Sequence, residues 1–81
     1  MKVIILQEYD RHISSSNKVS FEKDKSLYEI VCGVYEINKA EMEVEGYSKE
    51  DVIKECSQRN GDGDHYLEVY EIENDEMKLI F

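Results

Sequence analysis

The sequence predicts an α+β fold. It reads as a largely antiparallel β-sheet of about four or five strands with one α-helix packed on one face, in the order β-loop-β-β-α-β-β. Three observations predict it. Residues 27–37 form a run rich in β-branched and aromatic side chains. Residues 48–61 carry a capped stretch with apolar positions at helical spacing. Residues 65–81 alternate about a short turn, as a terminal hairpin should.

Taken in order, Lys2 to Tyr9 reads as a first strand, with its apolar density in Val3, Ile4, Ile5 and Leu6. Asp10 to Lys25 reads as a long, mildly basic loop with a short edge strand at 19–21. Leu27 to Ile37 is apolar on both parities, which predicts a central strand covered on both faces. A helix there would place Gly33 in its interior at a cost of roughly 1 kcal/mol, and the strand is preferred. Asn38-Lys39 reads as a turn, and Ala40 to Tyr47 as the returning strand. Period-2 alternation then places Glu41, Glu43 and Glu45 on one face, with neighbours roughly 6.8 Å apart.

Ser48 suits a helix N-cap, because its hydroxyl can accept from an otherwise unpaired amide of the first turn. Glu50 and Asp51 suit the positive end of the helix dipole. Val52, Ile53 and Cys56 form the apolar stripe, and Arg59-Asn60-Gly61 ends the helix, which therefore spans 49–59. His65 to Glu73 is the next strand. It has Tyr66, Tyr70 and Ile72 on one parity and Leu67 and Val69 on the other. An Asn74-Asp75 turn brings Met77 to Phe81 back, facing Ile72 with Met77, Tyr70 with Leu79 and Glu71 with Lys78.

At 81 residues the chain is expected to form a single small domain, residues 1–81. Its hydrophobic fraction of 41% supports a folded core rather than disorder. The only early apolar run is too short for a signal core or a membrane span, and the two cysteines read as reduced, buried thiols. A cytoplasmic protein is expected. The net charge of −9 is uneven: residues 1–40 hold six acids and six bases, whereas residues 41–76 hold thirteen acids and three bases. That balance argues against direct binding of nucleic acid or an anionic membrane and favours a basic protein partner.

Residues 60–64 (Asn-Gly-Asp-Gly-Asp) resemble the start of a calcium loop, with Glu71 at the twelfth position. The sixth position is His65 rather than glycine, and a strand follows, so an ordinary turn is preferred. His12, Cys32, Cys56 and His65 lack the close spacing of a zinc site. No nucleophile stands with a base and an orienting carboxylate, and no glycine loop is built to cradle phosphate. The chain therefore reads as non-enzymatic, with no metal or cofactor.

The candidate site is the acidic set: Glu41, Glu43, Glu45, Glu50, Asp51, Glu68, Glu71, Glu73, Asp75 and Glu76, with Tyr47 as an aromatic anchor. Carboxylates in a row imitate the phosphate charges of a duplex and suit a cationic nucleic-acid channel. In size, acidity and absence of motifs the whole chain resembles small anti-restriction and anti-CRISPR proteins of phages and mobile elements. That compositional resemblance implies an inhibitor of a host defence nuclease and transfers no site residue. The alternatives are a small ligand-binding or sequestering module, and a dimeric structural or adaptor protein joined through an unpaired sheet edge.

Overall fold

A computed structural model of the chain describes residues 1–10, 13–62 and 65–81. It shows an α+β fold with a four-stranded antiparallel sheet and three helices. The chain divides into two compact units, residues 1–24 with 60–81 and residues 25–59.

The first unit is the sheet. Its strands are β1 (Lys2–Asp10), β2 (Ile13–Glu22), β3 (His65–Glu73) and β4 (Glu76–Leu79), in the order β2-β1-β3-β4. β1 and β3 occupy the centre because they hold the densest β-branched runs, which fit a pleated surface with neighbours on both sides. Val3, Ile4, Leu67 and Val69 are buried there. The expected turn is present: Asn74 and Asp75 both take positive φ, 51° and 62°. This left-handed pair matches the twist of a two-residue hairpin, and asparagine and aspartate tolerate it better than most side chains. Ile72 faces Met77, Tyr70 faces Leu79 and Glu71 faces Lys78, as the alternation predicts.

Residues 10–25 depart in part from expectation. The edge strand expected at 19–21 is present, but in place of a long loop around it the segment forms the ten-residue strand β2, in register with β1 from Lys2↔Glu22 to Glu8↔Ser16. The serines and asparagine of this segment favour loops, but a strand edge is recruited through backbone groups that every residue carries. Arg11 and His12 lie outside the described residues, as do Gly63 and Asp64 of the 60–64 segment that resembles a calcium loop. The side chain of Asn60, the first residue of that segment, is engaged otherwise. Its amide nitrogen donates to the Leu67 carbonyl at 2.8 Å, and its amide oxygen accepts from the Leu67 N–H at 2.9 Å. Asn60 thus extends the ladder on the β4 side of β3, past the point where Val69 bonds the chain end at Ile80 and Phe81.

The second unit is helical: α1 (Leu27–Val34), α2 (Lys39–Glu45) and α3 (Lys49–Arg59). Helix α3 spans the predicted range, with the Ser48 hydroxyl accepting from the Asp51 amide at 3.1 Å. The expected hairpin over 27–47 is overturned, and the element order is β-β-α-α-α-β-β. Two features decided against a strand at 27–37. The apolar positions 27, 30, 31 and 34 follow helical spacing, and a helix buried round most of its circumference leaves few polar positions to mark the stripe. Tyr28, Ile30, Val31 and Cys32 are buried, whereas Glu29, Gly33 and Glu36 are exposed. Ser26 then caps the first turn, accepting from the Glu29 amide at 3.2 Å.

Asn38, read as a turn residue, is the N-cap of α2; its side-chain oxygen accepts from Ala40 and Glu41 amides at 3.0 and 3.3 Å. Gly46 closes α2 at φ 81°, the left-handed position that glycine supplies at least cost. The alternation over 40–45 misled because α2 buries no residue at all, so its apolar positions record no packing period. Ala, Glu, Met and Lys are strong helix formers, and local propensity prevails where burial decides nothing.

Candidate functional site

The acidic residues fall into a helical group and a sheet group, each built by a different local geometry. In the helical unit, Glu41, Glu43 and Glu45 are all exposed on α2. They do not form the expected single row. On a helix, residues two apart diverge by about 200°, so Glu41 and Glu45 share a side one turn apart and Glu43 points elsewhere. Glu43 lies close enough to Tyr28 for its charge to help hold the phenol in its neutral form. Burial is the larger cause of that upward shift, followed by the Cys32 sulfur. Tyr47 follows α2 and is 52% exposed. Glu50 and Asp51 are exposed in the first turn of α3.

Bases are interleaved in this unit. Arg59 pairs with Glu55 along α3, and the Lys49 ammonium sits 5.6 Å from the Tyr28 ring centroid. Residues 25–59 hold eight acids and five bases, a net charge of −3. Residues 60–81 hold seven acids and one base, a net charge of −6. The charge therefore concentrates at the carboxyl-terminal hairpin, more than on α2.

In the sheet, pairing sorts the carboxylates by face. Glu71, Glu73 and Glu76 project to one side, with Glu73 directly opposite Glu76. Like charges so placed repel each other, a cost of a few tenths of a kcal/mol or more that the fold tolerates at an exposed tip. Glu71 is partly compensated: its carboxylate lies 3.6 Å from Lys2 Nζ and 3.8 Å from the terminal amine. A shallow hollow of about 310 Å³ is bordered by Glu71, Glu73, Glu76 and Lys78. Asp75 stands exposed in the turn.

Glu68 faces the opposite side. It accepts a hydrogen bond from Tyr66 Oη at 3.0 Å on one oxygen and from Tyr70 Oη at 2.6 Å on the other. The bond to Glu68 pushes the Tyr70 phenol up, since ionising it would remove the donor and set two negative charges together. The surroundings of Glu68 are largely apolar, and sequence reasoning missed this. Once β2 is a strand, Val19 and Phe21 lie on the Glu68 side of the sheet, with Ile72, Met77 and Leu79. The available signal was β3 itself, apolar on both parities.

The two thiols, Cys32 and Cys56, are free and buried in the helical unit. Burial, and then the neighbouring Cys32, push the Cys56 thiol up, so it stays protonated and weakly nucleophilic. Among the described residues no group of three or more His, Cys, Asp or Glu side chains is placed to hold a metal ion. A cleft of about 280 Å³ within the helical unit is lined by Ile37, Met42, Tyr47, Val52, Cys56 and Arg59 among others. It falls just below the volumes that enclose small ligands, roughly 300–1,000 Å³. No described helix is long and apolar enough to cross a membrane. No protein-family profile, curated protein or solved structure matches the chain.

Proposed function

We propose that this chain is a non-enzymatic, cytoplasmic binding protein. It docks its acidic surface on the basic surface of a nucleic-acid-binding protein and blocks that surface by competition. The reading fits a phage or mobile-element inhibitor of a host defence nuclease. One observation carries it. Glu41, Glu43, Glu45, Glu50, Asp51, Glu73, Asp75 and Glu76 are all exposed, and among the described residues no ion pair ties any of them to a base. Carboxylates turned inward or neutralised by lysines would have removed the basis for the reading. Their display does not copy the even spacing of phosphates, because α2 is a helix. Attraction therefore rests on summed charge, which speeds association and makes it sensitive to salt.

The test is capture from a host lysate on the immobilised chain between about 50 and 200 mM salt, a range over which contacts to several charges weaken steeply. Capture is repeated with a chain carrying Glu41→Gln, Glu43→Gln, Glu45→Gln, Glu73→Gln, Asp75→Asn and Glu76→Gln. The expected result is recovery of a nucleic-acid-binding protein at low salt, lost at high salt and lost with the neutralised chain. Equal recovery by the neutralised chain overturns the reading.

A further inference from the structure

We propose that the Glu68 face of the sheet is a docking surface for a protein partner, which places an arginine side chain on the Glu68 carboxylate between Tyr66 and Tyr70. The inference rests on the reading of a basic protein partner and names where, and through what chemistry, that partner is gripped.

The register defines the surface. Phe21, Val3, Tyr70 and Leu79 stand in one line across all four strands, and Val19, Ile5 and Glu68 form the adjacent line. Among the described residues, eight large apolar side chains are exposed, and five of them lie on this one face: Val19, Phe21, Ile72, Met77 and Leu79. Phe21 is 63% exposed and Met77 58%. Apolar side chains scattered singly over a surface need no explanation, but here the exposed ones gather at the two edges of one sheet face, joined across its middle by Val3, Ile5 and Tyr70, and such a gathering marks an interaction site. On this face Val3 is buried, beneath the line it shares with Phe21 and Tyr70, while the other face has Ile4, Leu67 and Val69 buried and also carries Lys2, Lys18 and Lys78.

Charge selects the occupant. Across the paired positions 3–7, 17–21, 66–72 and 77–79, the open face has no lysine or arginine, and Glu68 is its single carboxylate. A second copy of the chain would bring another Glu68 and no cation to a drying interface, and burying unpaired carboxylates is costly. An anionic lipid surface finds no cation on this face to hold it. A cationic side chain among apolar neighbours satisfies both features at once. The two tyrosine hydroxyls fix the carboxylate in place, so little freedom is lost when a partner binds it. Arginine fits better than lysine, because its planar guanidinium can bond the carboxylate and lie against aromatic rings together.

The probe is a capped peptide with one arginine flanked by leucine and phenylalanine, together with its citrulline counterpart, which keeps the shape and loses the charge. Each is titrated into the isotopically labelled chain while amide resonances are followed. The arginine peptide is expected to shift Val3, Ile5, Tyr66, Glu68, Tyr70 and Leu79, and to bind about tenfold more tightly than the citrulline peptide. Glu68→Gln should remove that preference while leaving the citrulline peptide's binding unchanged, which separates loss of the grip from loss of the fold. Glu73→Gln with Asp75→Asn and Glu76→Gln should leave the preference intact. Shifts confined to the hairpin tip or to α2, equal binding of both peptides, or indifference to Glu68→Gln would overturn the proposal. So would a dimer in sedimentation that Phe21→Ser disperses. If a captured basic partner ignores Glu68→Gln but is lost on neutralising the tip, this inference fails and the acidic-surface reading stands. If it is lost with Glu68→Gln yet ignores salt and neutralisation, the acidic-surface reading fails instead.

Discussion

Leu67 and Leu79 show how the same side chain takes opposite roles in one sheet. Leu67 is fully buried in the centre of β3, and Leu79 is 55% exposed on β4. Truncating Leu67 removes buried contacts and leaves a cavity, so Leu67→Ala should lower stability by about 2–5 kcal/mol. Leu79→Ala should change it by less than about 0.5 kcal/mol. Urea unfolding midpoints measure both, and a large loss at Leu79 would mean that the Glu68 face is part of the core rather than a surface open to a partner. In the sequence Glu68 is one acid among many. Its particular standing, a carboxylate fixed by two tyrosines among apolar side chains, became visible only once β2 aligned Val19 and Phe21 beside β1.

Individual elements differ in how openly the sequence declares them. Helix α3 was readable because Ser48, Val52, Cys56 and Gly61 give cap, stripe and stop independently of any distant contact. The β3–β4 hairpin was readable because alternation and the Asn74-Asp75 turn agree. Helix α1 was not, since its β-branched and aromatic residues have strand propensity that burial overrides. Strand β2 is readable only at 19–21, since the rest of its pairing with β1 comes from backbone groups that leave little trace in composition. Two substitutions check the assignment of α1. Ser26→Ala should cost about 1 kcal/mol, because the Glu29 amide loses its cap. Glu36→Gly should add about 0.5–1 kcal/mol, because Glu36 holds φ 56° just past the helix, where glycine is unstrained. Thermal or urea unfolding reads both, and a neutral Ser26→Ala would contradict the helix start.

Across the whole molecule, charge and apolar exposure are distributed in a way that fold stability does not require. Residues 1–24 are neutral, residues 25–59 carry −3 and residues 60–81 carry −6. Self-repulsion of that size works against compactness and is screened by salt. The sequence made the amount and the half of the chain plain, because both are counts. It does not reveal the arrangement: Glu41, Glu43 and Glu45 form a row only on a strand, and α2 is a helix. The acidic surface supplies attraction at a distance, and the proposed seat at Glu68 supplies a specific grip at contact. Competition for a captured basic partner tests the function most directly. The chain should displace a labelled nucleic-acid duplex from that partner at about 50 mM salt, and the six-fold neutralised chain should not. A stable complex holding the chain and the duplex together on that partner would contradict it.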